Sequence, residues 1–177
     1  LVLEGADGRL GGVEGAAALL QDAPPRVGGA LAGRVSRALL AGRGYTVAPF
    51  TIEHEDWVFA SADASLHAAG DTAGQARLLD AYLEDFDTRC AFYEERSRAL
   101  FGREIPQVLL NHANALNARA MPFLLERLER RGYSFVSLDE ALSDPAWRSP
   151  DGYIGPWGPS WLHRFAAARS EDVKALF

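Results

Sequence analysis

The surroundings of His112 suggest chemistry. In the segment QVLLNHANALNA (107–118), an apolar run leads directly into an Asn and this His, and a polar, small-residue segment then opens a predicted helix. An imidazole can donate a proton to a leaving group at neutral pH because its unperturbed pKa is about 6.5. Taken alone, a His at the end of a strand is as often a structural hydrogen-bonding residue as a catalytic one.

A second polar segment, EHEDW (53–57), follows another predicted strand. Its three carboxylates and His54 could form a metal cluster. In a loop this charged, however, we expect solvated side chains. The segment therefore counts as a candidate site because of its position in the fold.

Alternating helix and strand patterns position these two segments. From Arg34 onward the sequence predicts a helix (34–44), a strand (45–52), a long amphipathic helix (72–101), a strand (106–111), a helix (116–131), a strand (133–138), a short helix from Asp139 and a final helix starting near Ser160. Gly102 and Gly132 mark helix ends. The stretch EHEDWVFASAD (53–63) is predicted to be a loop.

This order predicts an α/β fold in which parallel strands are joined by crossover helices, as a doubly wound sheet or a barrel. Both architectures place functional residues at the carboxyl ends of the strands. We therefore expect EHEDW (53–57) and NHAN (111–114) to be neighbours on the functional face.

Composition and charge exclude several kinds of partner and site. The net charge is -6, which argues against a nucleic-acid partner because such a partner requires a basic face. No segment approaches the roughly 20 apolar residues that span a membrane, so we expect no membrane partner. Cys90 is the single cysteine, so neither an intrachain disulfide nor a Cys₄ or Cys₂His₂ zinc site can form.

The chain divides into two segments by composition. Residues 1–33 are dense in Gly and Ala, and we expect poorly specified structure there, whereas residues 34–177 carry the patterned elements. Because the chain begins with Leu1, we interpret it as a piece of a longer product or one whose true start is missing. A complete chain would be cytoplasmic, whereas loss of an upstream signal peptide would place it in the periplasm or cell envelope.

Four stretches together resemble the carboxyl-terminal half of bacterial polysaccharide deacetylases, which are carbohydrate esterases of the nodulation-type deacetylase homology superfamily. They are PFTIEHEDWVFA (49–60), IPQVLLNHANALNA (105–118), RGYSFVSLDEALSDPAW (131–147) and GPSWLHRFA (158–166). The resemblance implies a partial (β/α) barrel. It also implies metal-dependent hydrolysis of N- or O-acetyl groups on a carbohydrate substrate.

The resemblance implies roles for residues in two motifs. Asp56 and Trp57 match the family's Asp-Trp segment, in which Asp56 would orient the catalytic imidazole and Trp57 would form a wall beside the sugar. The family's Leu-x-Leu-His segment is matched in outline, with Asn111 where Leu is usual. His112 would then be the general acid, and Leu110 would line the acetyl-methyl pocket.

The family's other motifs are not recognisable in this sequence. There is no Asp-Asp pair to supply a base beside a metal-binding aspartate, and no two histidines lie four residues apart. The resemblance implies a divalent metal such as zinc, yet we assign no metal-binding residue and no cofactor to this chain. A zinc hydrolase without three protein ligands should not activate water.

Two functional classes follow. The chain is either the acid-donating part of a carbohydrate deacetylase, or a catalytically inactive, truncated or degenerate homologue that at most binds glycan. Asn114 and Asn117 are candidates for contacts with sugar hydroxyls, although Asn near a helix start more often caps the helix. A partial barrel has open strand edges, so we also expect marginal stability, dimerisation or a missing amino-terminal half.

Overall fold

Helices, rather than alternating strands and helices, build the part of the chain that the structure describes. The computed structural model describes residues 38–45, 47–153 and 158–169. The predicted Gly/Ala-rich segment 1–33 lies outside these residues, as does the start of the first predicted helix, of which residues 38–41 are helical. The described residues belong to two compact units, and the larger one comprises 49–153 and 159–169.

Five α-helices and one 3₁₀ helix make up the regular structure of the larger unit, within its described residues. They are α1 (Asp56–Ala68), α2 (Thr72–Phe101), α3 (Ala115–Arg130), α4 (Leu138–Leu142), the 3₁₀ helix (Pro145–Arg148) and α5 (Trp161–Ala168). None of the helices in the described residues is both long enough and apolar enough to cross a membrane.

The long helix α2 confirms the prediction for residues 72–101, and its ends explain why the pattern was readable. The Asp71 side chain caps the start by accepting the N–H of Gly74 at 2.7 Å. Gly102 ends the helix with φ 68°, a left-handed conformation that favours glycine. Helix α3 lies within one residue of its prediction, and Gly132 follows it with φ 88°.

The core lies where α2, α3 and α5 meet. Apolar side chains at helical spacing on α2 and α3 face each other, and Phe165 of α5 packs against Phe101 of α2. Trp147 of the 3₁₀ helix and Trp161 of α5 also lie beside Phe165, so the Trp147 ring packs the 3₁₀ helix against α5. The buried core residues of the three helices are Tyr82, Leu83, Phe86, Cys90, Tyr93, Leu100, Leu116, Ala120, Leu124, Leu128, Leu162, Phe165 and Ala166.

The predicted (β/α) barrel is wrong, because the described residues contain no β-strand. Two of the three predicted strand segments meet at one isolated parallel bridge, between Ile52 and Leu109. The bridge is flanked by Pro49 and Pro106, which lack a backbone N–H and cannot extend a ladder on the amino-terminal side. The third segment, 133–138, leads into α4 without pairing as a strand.

The predicted loop at 53–63 is also wrong, because α1 begins at Asp56. The residues of this helix that are fully buried are Asp56 and Asp63, two turns apart on one face. Reading a helix from sequence relies on apolar residues marking the buried face. Because the most buried positions of this face are carboxylates and its apolar residues Phe59 and Ala60 are only partly buried, the apolar mark is weak.

Candidate functional site

Asp56 and His112 form a hydrogen-bonded dyad. Nδ1 of His112 donates to Oδ1 of Asp56 at 2.7 Å, and the backbone N–H of His112 donates to Oδ2 at 2.8 Å. Asp56 is the first residue of α1, and His112 lies in the loop between the bridge residue Leu109 and α3. The bridge brings these two chain segments together, and the two polar segments are neighbours although the described residues form no sheet.

The two members of the dyad differ sharply in exposure. The Asp56 side chain is 4% exposed, whereas that of His112 is 52% exposed. Because Nδ1 is engaged by the carboxylate, Nε2 lies on the opposite edge of a half-exposed ring. A molecule in solution can therefore approach Nε2 while the anion stays inside the protein.

The hydrogen bonds to Asp56 keep it ionised. Burial by itself raises the pKa of this carboxyl group, but hydrogen bonds from the His112 ring, the His112 backbone and Asn117 outweigh burial and lower the pKa below its ordinary value. An ionised Asp56 is an acceptor only, so Nδ1 of His112 carries the hydrogen of the shared bond.

The backbone enters α1 in an unusual conformation. Glu55, the residue before Asp56, has φ 49° and ψ 32°, which is left-handed and uncommon for a residue other than glycine. Its side chain forms an ion pair at 3.7 Å with Arg89. The turn at Glu55 lets the chain pass from the bridge at Ile52 to the first residue of α1 within a few residues.

Of the three other predicted site residues, Asn114 contacts the dyad directly. Asn114 caps α3, as its position suggested, and its Nδ2 lies 3.5 Å from Oδ2 of Asp56. Trp57 follows Asp56 on α1 and is 62% exposed. Leu110 is half-buried, and its backbone N–H bonds to the carbonyl of Ile52 at 2.9 Å. The structure thus brings His112, Asp56 and Asn114 together.

The residues around the dyad do not fit a divalent metal. No group of three or more His, Cys, Asp or Glu side chains in the described ranges is placed to hold a metal ion. In the segment 53–56, Glu53 accepts the hydroxyl of Tyr93, Glu55 pairs with Arg89, and His54 bonds to Asn111. Each of these side chains has a separate partner, so they do not converge on a common point where a metal ion could bind.

His54 is a buried structural residue beside the dyad. Its Nε2 donates to Oδ1 of Asn111 at 2.9 Å, and its ring stacks on Tyr82 and meets Phe86 edge-on. Burial lowers the pKa of this imidazole, and the Asn111 bond and the Asp56 charge oppose that shift only in part. A neutral His54 therefore forms part of the wall behind the dyad.

Tyr82 was not predicted as part of the site, and Asn117 was considered only for contacts with sugar hydroxyls, yet both bond toward the dyad. Asn117 lies in the first turn of α3 and donates to Oδ2 of Asp56, and Tyr82 donates to Oδ1 of Asn117. The sequence holds a weak signal for Asn117: it lies one position from the apolar Leu116 and three after the cap residue Asn114. Nothing in the sequence marks Tyr82 as more than a core aromatic.

Comparisons with known proteins leave the family open. No protein-family model matches this chain, and no curated protein or solved structure matches it either. The resemblance to polysaccharide deacetylases rests on the motifs quoted above, and the activity it implies is a proposal.

Proposed function

We propose that this chain carries the proton-donating part of a carbohydrate deacetylase site, with His112 as the general acid and Asp56 as the residue that orients it. The observation that supports this role is the 2.7 Å bond between a half-exposed imidazole and a buried carboxylate. The arrangement holds one ring nitrogen inside the protein and offers the other to a substrate at the surface. Such a pair is suited to general acid–base catalysis.

The proposed step is collapse of the tetrahedral intermediate of acetyl hydrolysis. His112 starts as imidazolium, with Nδ1–H bonded to Asp56 and Nε2–H directed at the leaving atom. As the bond from the acetyl carbon to the leaving nitrogen or oxygen breaks, that atom takes the proton from Nε2. His112 ends neutral with its hydrogen on Nδ1, the tautomer that Asp56 favours.

The substrate class comes from the motif resemblance together with one surface feature. Trp57 presents an exposed ring next to Asp56 on α1. An indole offers a sugar a flat apolar face with one polar N–H group at its edge. We therefore propose an acetylated carbohydrate, with the acetyl group on nitrogen or oxygen.

Among the described residues, no cluster is placed to hold a metal ion that would activate the attacking water. The family implies a divalent metal for that purpose, and the residues around the dyad do not fit one. We therefore assign this chain the proton-donating step alone.

A comparison of leaving groups tests the general-acid role. Acetate release is measured from an N-acetylated oligosaccharide and from an aryl acetate, each with and without added Zn²⁺ or Co²⁺. We expect His112→Ala to lower kcat on the oligosaccharide by about 100-fold or more. The loss on the aryl acetate is expected to be much smaller, because a phenolate leaves without a proton.

His67→Ala is the matched control, because His67 is an exposed histidine in the last turn of α1. This variant should keep the activity of the parent chain on both substrates. An equal loss for His112→Ala on the two substrates would contradict the general-acid role. Absence of turnover by the parent chain under every condition would contradict the enzymatic proposal itself.

The exposed ring of Trp57 also favours a second candidate function, glycan binding without turnover. In that case Trp57→Ala abolishes binding of an acetylated oligosaccharide in a calorimetric titration, and His112→Ala leaves the affinity unchanged. Binding combined with acetate release would favour the enzymatic proposal instead.

A further inference from the structure

A chain of hydrogen bonds connects the interior of α2 to the dyad. The buried Tyr82 donates its hydroxyl hydrogen to Oδ1 of Asn117 at 2.5 Å. Nδ2 of Asn117 donates to Oδ2 of Asp56 and also to the carbonyl oxygen of His112, the latter at 2.8 Å. Asn117 thus contacts both members of the dyad from the protein side.

The side-chain amide of Asn117 has one satisfactory orientation. Its oxygen accepts from Tyr82, and its nitrogen donates to two oxygens. A flipped amide would place its oxygen against the carboxylate of Asp56 and leave two acceptors facing each other. Burial, and then the charges of Asp56 and Asp85, raise the pKa of Tyr82 far above its ordinary value, so the phenol stays a donor.

Core packing determines where the Tyr82 hydroxyl lies. The Tyr82 ring stacks on His54 with a centroid separation of 5.3 Å and meets Phe59 of α1 at 5.2 Å. His54 in turn bonds to Asn111, the residue before His112. The aromatic ring is therefore held by the same segments that carry Asp56 and His112.

We propose that Asn117 and Tyr82 are positioning residues of the dyad: Tyr82 orients the amide of Asn117, and Asn117 holds Asp56 so that one carboxylate oxygen faces Nδ1 of His112. This role rests on the proposed function of His112 as general acid. Its consequence is that neutral His112 carries hydrogen on Nδ1 and leaves Nε2 bare toward solvent. Loss of Asn117 would let the carboxylate rotate and weaken that preference.

The tautomer of His112 can be measured without any substrate. The ¹⁵N shifts of the imidazole are recorded in the full chain at a pH where the ring is neutral, for the parent, Asn117→Ala and Tyr82→Phe. We expect the Nδ1–H tautomer to dominate in the parent. In Asn117→Ala it should give way to a mixture with the Nε2–H form, and Tyr82→Phe should lie between the two.

Tyr93→Phe is the matched control for Tyr82→Phe. Tyr93 is a buried tyrosine on the same helix, and its hydroxyl donates at 3.3 Å to Glu53 rather than toward the dyad. The Tyr93→Phe variant should therefore show the same His112 tautomer as the parent chain. If Asn117→Ala fails to fold, Tyr82→Phe still tests the proposal, because it removes one oxygen and keeps the ring.

An unchanged His112 tautomer in folded Asn117→Ala, or in folded Tyr82→Phe when the first variant does not fold, would overturn the positioning role. A tautomer change in the absence of acetate release by any variant would support positioning and contradict the hydrolytic function. Where acetate release is present, kcat of Asn117→Ala should fall by about tenfold, the lower end of what losing an outer hydrogen-bond partner costs.

Discussion

Helix α1 carries two buried carboxylates, Asp56 and Asp63, whose surroundings are closely alike. Each side chain is 4% exposed, and each contacts a half-exposed nitrogen base, His112 in one case and Arg119 in the other. Each carboxylate also accepts a hydrogen bond from a side-chain amide, that of Asn117 or Gln75. The pKa of each lies below its ordinary value.

The difference between the two pairs lies in what the partner can do with its proton. Arg119 holds Asp63 with two bonds, at 2.6 and 3.1 Å, and a guanidinium does not release a proton in a protein. An imidazole can release one near neutral pH. The two pairs therefore share burial and geometry but differ in role. Asp63 and Arg119 clamp α1 to α3, whereas Asp56 and His112 can perform acid–base chemistry.

The largest expected effect is on kcat, which should distinguish Asp56 from Asp63. Asp56→Asn places an amide nitrogen against hydrogen-bond donors and disrupts the acceptor that orients the His112 ring, so kcat for acetate release should fall by about 100-fold or more. Asp63→Asn should leave kcat of the folded protein unchanged. The assay is acetate release with circular dichroism to confirm folding, and similar losses in both variants would remove the functional distinction.

For stability the order is reversed: loss of Arg119, the partner of Asp63, should cost more than loss of His112, the partner of Asp56. Arg119→Ala leaves Asp63 buried with Gln75 as its remaining side-chain donor, and we expect the free energy of unfolding to fall by roughly 1–3 kcal/mol. His112→Ala should cost about 1 kcal/mol, because Asp56 keeps the backbone N–H of residue 112 and the Asn117 amide. Urea denaturation measures both, and a larger loss for His112→Ala would reverse the assignment of the structural clamp.

Acid should weaken both pairs in the same pH range. The pKa of each carboxyl is lowered from an ordinary value of 3.8, so its contribution to stability is complete above that value and is lost as pH falls through the lower folded-state pKa. Asp56→Asn and Asp63→Asn should each flatten the decline in unfolding free energy below about pH 4. Urea titrations in acid measure the slope, and an unchanged slope in either variant would show that its carboxyl is not stabilised by folding.

The smallest effect concerns the amide beside Asp63. Gln75 donates to Oδ1 of Asp63 at 3.0 Å, and Gln75→Ala should lower the free energy of unfolding by about 1 kcal/mol with no change in kcat. This result would sharpen the contrast with Asn117, whose loss is expected to lower kcat for acetate release. A loss of acetate release in Gln75→Ala, with the fold intact, would argue against that contrast.

Much of the helical structure was predictable from sequence, and the strands were not. Helices α2 and α3 follow apolar spacing and end near glycines that adopt positive φ, so local rules suffice. The segment 133–138 has the composition of a strand, yet Phe135 and Val136 are exposed and no strand forms there. Strand composition becomes a sheet only when partners are available, and partners are a tertiary property.

The candidate site was predictable in part. Motif resemblance drew attention to Asp56, Trp57 and His112, and the structure places the first and last of these in contact, although their catalytic roles stay predictions. Tyr82 carried no such signal, and Asn117 was considered only as a sugar contact, because a polar residue near a helix start and an aromatic on an apolar face have ordinary explanations.

The sequence by itself determined the helices whose buried faces are apolar, the glycines that follow them, and the residue types able to donate a proton. Tertiary structure alone decided that α1 buries carboxylates, that its first residue meets a histidine from a distant loop, and that an amide from α3 and a phenol from α2 stand behind them. The physical reason is that local spacing governs backbone conformation, whereas the desolvation and hydrogen bonding that set a carboxylate's charge depend on groups far apart in the chain.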